Sequence, residues 1–264
     1  MTYTKEQFNS FLEAMVLANK RIKEENPSLL LVTLNGGLPI YDCLTIINPE
    51  LDDSTRVVYF PASSTIMDCK TVTEHCFENL LSERIDHSDK PRKIVSVDEV
   101  VSGGSVSRLI NAYESATRQI ARKNLRGNDK PSKQNEINQE AKVMQGLMPY
   151  QIVGLKQPRP GVVMSHEYEE HVKQGYIFEI PVPKIITMDN TDIQIIEWDH
   201  PSTSGYHGDK FWPRVRGFNV KNSYLDFLRS VAAYIGINPD TVGPKNLERI
   251  RSDCAKYSKK PQKS

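Results

Sequence analysis

The stretch Lys93-Ile94-Val95-Ser96-Val97-Asp98-Glu99-Val100-Val101-Ser102-Gly103-Gly104-Ser105-Val106 constrains this chain more than any other. It reads as a short β-branched strand, two adjacent acids, a turn of glycines and hydroxyls, and the start of a helix. Each part suits a sugar phosphate. The acids can accept hydrogen bonds from vicinal ribose hydroxyls. Backbone N–H groups at a helix N-terminus can hold phosphate, and glycine lets that backbone come close. Ser102 and Ser105 add hydroxyl donors. The expected ligand is a phosphorylated ribose carried with a magnesium ion (Mg2+). The same stretch also suits an ordinary βα connection that binds nothing.

A second run, Leu29-Leu30-Leu31-Val32-Thr33-Leu34-Asn35-Gly36-Gly37-Leu38-Pro39-Ile40, has the same design. Buried parallel strands read as continuous apolar runs of this kind. Pro39 suits the first turn of a following helix. The Gly36-Gly37 pair predicts a second close backbone approach at a strand's carboxyl end.

The eight residues Asp98-Glu99-Val100-Val101-Ser102-Gly103-Gly104-Ser105 resemble the signature loop of the type I phosphoribosyltransferases. They align without a gap to its orotate-type form, D-D-V-I-T-A-G-T. Glu99 replaces the second Asp, and both threonines are serines. In the purine-type form an Asp acting as general base often stands where this chain has Ser102, which argues against purine salvage. In the same family a pyrophosphate loop, often Arg/Lys-Gly-Gly, occupies the place of Asn35-Gly36-Gly37. The resemblance spans about residues 29–155.

That resemblance implies transfer of phosphoribose from 5-phosphoribosyl 1-pyrophosphate (PRPP) to a nucleobase or similar acceptor, with release of pyrophosphate. Asp98 and Glu99 would be the catalytic pair, binding the ribose hydroxyls and ordering Mg2+. Val100, Val101, Ser102, Gly103, Gly104 and Ser105 would complete the ribose-phosphate loop. Asn35, Gly36 and Gly37 would face pyrophosphate. Lys70 and His75 are a candidate lid, although their segment lacks a glycine-rich tip and reads equally as a solvated helix face.

Strands alternating with helices predict an α/β protein with a mostly parallel sheet flanked by helices, and a helical C-terminal extension. Residues 4–24 form an amphipathic helix with a Thr4/Gln7 capping box, and residues 38–47 a second helix. Residues 56–60 form a strand. Residues 105–122 form the helix behind the signature loop. Residues 150–155, 176–180, 184–187 and 193–198 are further strands, and residues 222–235 a helix ended by Gly236. A last helix starts near Gly243-Pro244. We divide the chain into a core, residues 1–200, with a polar exposed insertion at about 118–145, and an extension or hood, residues 201–264.

Composition sets the remaining bounds. The chain has 264 residues, 38% of them hydrophobic, enough for a large core. The net charge of +1 offers no global field for nucleic acid. Cys43, Cys69, Cys76 and Cys254 are scattered without CxxC pairs, as in a reducing cytoplasm. There is no apolar signal core and no membrane-length run.

Other clusters carry less. His166 and His171 are five apart, roughly 140° around a helix, so they do not make the zinc pair of an i, i+4 motif. Arg118, Arg122, Lys123, Arg126, Lys130 and Lys133 give a basic stretch that could meet nucleic acid, but without interleaved aromatics. Trp212 to Phe218 reads as a loop anchor. Alongside the transferase, a non-catalytic regulatory or complex-forming subunit that senses a ribose phosphate stays open. Assembly as a homo-oligomer or with a partner subunit is expected.

Overall fold

The computed structural model describes residues 4–34, 36–52, 56–62, 69–84, 91–125, 134–157, 161–182, 196–199, 214–243 and 245–257. Helix α1 (Lys5–Glu25) starts on the predicted capping box: Thr4 Oγ1 accepts from the Gln7 N–H, and the Gln7 side chain accepts from the Thr4 N–H. It buries Phe11, Leu12, Met15, Ala18 and Ile22. Strand β1 (Leu29–Thr33) is buried throughout and leads into α2 (Gly37–Ile47). Strand β2 (Val57–Phe60), helix α3 (Cys69–Arg84), strand β3 (Ile94–Val100) and helix α4 (Gly104–Leu125) follow. Then come α5 (Gln134–Leu147), β4 (Tyr150–Lys156), α6 (His166–Lys173) and β5 (Ile177–Pro181).

These strands make one five-stranded, all-parallel sheet in the order β2-β1-β3-β4-β5. The chain steps one way from β1 to β2 and the other way from β3 to β5. Right-handed crossovers then place α2 on the opposite face from α3 and α4. Packing agrees: α1 meets α2, whereas α3 meets α4 and α4 meets α5 and α6. Under α3 and α4 sits an aromatic cluster. The Phe77 ring lies 4.7 Å from Phe60, 5.8 Å from Tyr113 and 5.3 Å from Tyr150. The Tyr113 hydroxyl donates to the Met148 carbonyl at 2.7 Å.

The polar stretch at 118–145 is helical on both sides of residues 126–133, which lie outside the described residues. Helix α4 continues to Leu125, and α5 buries Ile137, Ala141 and Met144 against it. The strand expected at 193–198 is found as β6 (Ile196–Asp199). It leaves the parallel sheet to pair antiparallel with β7 (Arg214–Phe218), within a segment read from sequence as a loop anchor. Residues 166–173 form helix α6, which buries Tyr168 and His171. The strand expected at 184–187 and the C-terminal tail lie outside the described residues.

The extension consists of α7 (Asn222–Tyr234) and α8 (Leu247–Tyr257). Helix α7 packs on α2, and α8 packs on β2 and β7. The Tyr59 N–H of the edge strand β2 donates to Asp253 Oδ2 at 3.1 Å, and the Arg249 guanidinium donates to the Val57 carbonyl. An unpaired strand edge invites other strands, and α8 satisfies this one. Among the described residues no helix is long and apolar enough to cross a membrane.

Phe77 is fully buried and touches three other rings. Phe77→Ala should lower the unfolding free energy by about 3–5 kcal/mol in urea titrations, through lost burial and a cavity. A change below about 1 kcal/mol would contradict this packing.

Candidate functional site

The sheet order reverses between β1 and β3, and in open α/β sheets ligands bind outside the carboxyl ends of the strands at such a point. The two glycine loops, after β1 and after β3, therefore face the same crevice. Asp98 and Glu99 lie inside β3, paired with Gly154 and Leu155 of β4, rather than after the strand. The turn itself is residues 101–103.

The loops are in atomic contact. A Cβ on Gly36 would overlap Asp98 Oδ1. A Cβ on Gly37 would overlap the Val97 carbonyl and lie 2.6 Å from Thr33 Oγ1. Thr33 Oγ1 donates to the same Val97 carbonyl at 3.3 Å, tying the end of β1 to β3. Neither glycine has positive φ, so both are required by proximity and not by backbone conformation. Gly103 differs: its φ is 81°, and a side chain there would strike the Tyr168 ring.

Tyr168 is one of the residues that sequence reasoning missed. It is buried on α6, directly behind the signature turn. The Ser165 N–H donates to the Ser102 carbonyl at 3.3 Å, while Ser165 Oγ caps α6 through the Tyr168 N–H. The Tyr168 hydroxyl donates to Glu179 Oε1 at 2.7 Å, and Lys156 Nζ reaches that oxygen at 2.6 Å. The turn is thus gripped from both ends, since the Gln157 N–H donates to the Val100 carbonyl and the Ser107 N–H to the Gly103 carbonyl. The available signal was Ser165 as an N-cap followed by Glu167 and Glu169 in a first turn. Gln157 was missed too: its amide is buried, and Oε1 has no donor among the described residues.

Asp98 is 4% exposed. Burial pushes its carboxyl up to about 7; the Glu99 N–H, donating to Oδ1 at 2.9 Å, pulls it down, and the Glu99 charge pushes it up again. Thr33 and Arg108 also favour the charged form. Asp98, Ser105 and Arg108 share a narrow cleft of about 20 Å³ with Ala62, Cys69 and Thr73. Arg108 Nη2 donates to Ser105 Oγ at 3.2 Å, bringing a cation to the N-terminus of α4. Ser102, Gly104 and Ser105 are exposed beside it, with Val100 and Gly103 buried beneath and Val101 half-buried.

The candidate lid is not assembled at the cleft. Lys70 and His75 lie on regular α3, Lys70 exposed and His75 Nδ1 4.0 Å from Glu78, and neither is among the described residues lining the cleft. Asn35 lies outside the described residues. His166 is largely exposed while His171 is buried, so they form no ligand pair. Among the described residues no three His, Cys, Asp or Glu side chains form a metal cage. Magnesium does not need one. It binds through one or two carboxylates plus substrate phosphates; of the two acids, Asp98 lines the cleft, while Glu99, the next residue of β3, is not among its described lining residues.

No protein-family model, no curated protein and no solved structure matches the chain. The site is therefore read from its own geometry.

Two predictions follow from that geometry. Gly36→Ala should force the loop off Asp98 and cost about 1–3 kcal/mol of stability in denaturant titrations. Gly104→Ala, whose Cβ would lie 3.8 Å from Ser102 Oγ, should change stability by less than about 0.5 kcal/mol. Equal effects at the two positions would refute the Gly36–Asp98 contact.

The second concerns pH. The folded Asp98 carboxyl titrates near 7, against an ordinary 3.8. Between those values the folded state holds a proton that the unfolded state has released, so Asp98 makes stability fall as pH rises through this window. Asp98→Asn should remove that contribution. Its melting temperature relative to the parent should climb from pH 5 to pH 8. Parallel profiles would show that Asp98 is not buried as described.

Proposed function

We propose that the chain binds 5-phosphoribosyl 1-pyrophosphate, or another ribose phosphate, across the carboxyl ends of β1 and β3. The supporting observation is the seating of Gly36 against Asp98, which makes two glycine loops a single cradle. Asp98 and Glu99 accept from the ribose 2′- and 3′-hydroxyls. Residues 102–105 hold the 5′-phosphate with backbone N–H groups, the Ser105 hydroxyl and the α4 dipole. The Gly36-Gly37 backbone faces the pyrophosphate. Asp98 and Glu99 would hold Mg2+ brought in with the substrate, and the ion would supply charge neutralisation at the phosphates.

In the transferase reading, which rests on the resemblance of residues 98–105 to type I phosphoribosyltransferases, ribose passes through an oxocarbenium-like state as pyrophosphate leaves. The chain's own work is to fix the ribose, hold both phosphate groups and exclude water. An acceptor nucleobase and a cytoplasmic setting belong to this reading, as does assembly with itself or with a partner subunit.

A non-catalytic sensor is favoured by a specific observation. Arg108 is the cation among the described residues lining the cleft, and neither Lys70 nor His75 joins it. Ser102 provides no general base. Binding of the sugar phosphate is thus better supported than its turnover. Contact with nucleic acid has less support, because Arg118 pairs with Glu114 at 3.6 Å and Lys123 with Glu78 at 3.0 Å.

Calorimetric titration with PRPP and Mg2+ tests the proposal. The parent should bind, and Asp98→Asn with Glu99→Gln should weaken binding roughly tenfold or more while keeping a cooperative melt. Unchanged binding would overturn the assignment. Pyrophosphate release with a panel of nucleobases then separates the transferase from the sensor.

A further inference from the structure

A cavity of about 150 Å³ lies between α2 and the C-terminal helices and shares no lining residue with the cleft. Its floor is Asp42 of α2, only 6% exposed. The Tyr224 hydroxyl donates to Asp42 Oδ2, and the carboxyl lines the cavity. Ile46, Leu228 and Val242 supply apolar walls, and Lys245 stands at the lining. A buried carboxyl is costly, and a hydrogen-bond donor reaching it from the cavity lowers that cost.

The chemistry narrows the occupant. An anion would be repelled by Asp42 and Asp52, which both line the cavity. A metal ion would find only those two carboxylates opposed by Lys245, and among the described residues no three-ligand group exists. A neutral molecule with a flat apolar body and one N–H donor meets each wall: the ring against Ile46, Leu228 and Val242, the donor on Asp42.

We propose that this cavity is a second binding site, for a nucleobase-sized neutral nitrogen heterocycle that donates an exocyclic N–H to Asp42. The proposal does not depend on the ribose-phosphate reading. Asp42 sits on the helix that begins at the Gly36-Gly37 loop, but the two sites are tested separately.

Adenine is the probe, and hypoxanthine, with a carbonyl in place of the amine, is its control. Calorimetry should show adenine binding to the parent, and hypoxanthine roughly tenfold weaker or worse. Asp42→Asn should weaken adenine by a similar factor. Thr241→Trp places a large ring at the cavity from an exposed position and should abolish binding with an unchanged melting temperature. It reads out even if Asp42→Asn fails to fold. Asp98→Asn with Glu99→Gln should leave adenine binding intact. The proposal is overturned if the parent does not bind adenine, if hypoxanthine binds equally, or if Thr241→Trp binds adenine like the parent. It also fails if the Asp98/Glu99 variant loses adenine, since that would place the base in the cleft.

Discussion

The contact on which the site depends is that between the Gly36 backbone and the Asp98 carboxyl. A carboxyl group at the end of a central strand is surrounded by sheet, and solvent cannot hydrate it. It persists there because the loop after β1 carries glycine at position 36, so that backbone can close over it. Thr33 fixes the distance between the strands by its bond to the Val97 carbonyl. Substituting either glycine would push the β1 loop away from β3 and part the two halves of the crevice.

Much of this was legible in the sequence because it is local. Apolar, β-branched runs at 29–33 and 94–97 read as buried strands, as they are, and Thr4 with Gln7 announces a helix start that the structure reproduces. Glycine pairs after both runs point to close approaches. What the sequence did not disclose is what those glycines approach. The partner of Gly36 is 62 positions away in Asp98, and that of Gly103 is Tyr168 on a helix whose charged residues hide one buried ring. The same applies to α5. Its polar composition masks Ile137, Ala141 and Met144, three side chains at helical spacing that need α4 to bury them. Where Asp98 and Glu99 sit was also a matter of tertiary context, since pairing with β4 extends β3 through both acids.

The C-terminal helices show how the sheet is finished. Parallel sheets need both faces and both edges managed. At the β2 edge α8 does this with directed groups, Asp253 accepting from Tyr59 and Arg249 donating to Val57. At the β5 edge the solution is softer: Phe178 is partly exposed and carries the Arg21 guanidinium 4.4 Å above its ring. Removing α8 would thus expose backbone as well as apolar surface, which makes the extension a structural part of the sheet.

Helix α2 joins these features. One buried carboxyl, Asp98, abuts the glycines at its start, and another, Asp42, sits on its own inner face against Tyr224 of α7. Burial pushes both up to about 7. An apolar residue at either place would avoid that cost, and stability alone gives no reason to keep an acid. Each lines a cavity, and each is only partly compensated by the donors around it. Buried acids with perturbed titration facing open space are a signature of binding sites more than of packing. The cost of keeping them is what the two proposed sites would explain, one at the shared crevice of the glycine loops and one at the seam where the C-terminal helices meet the core.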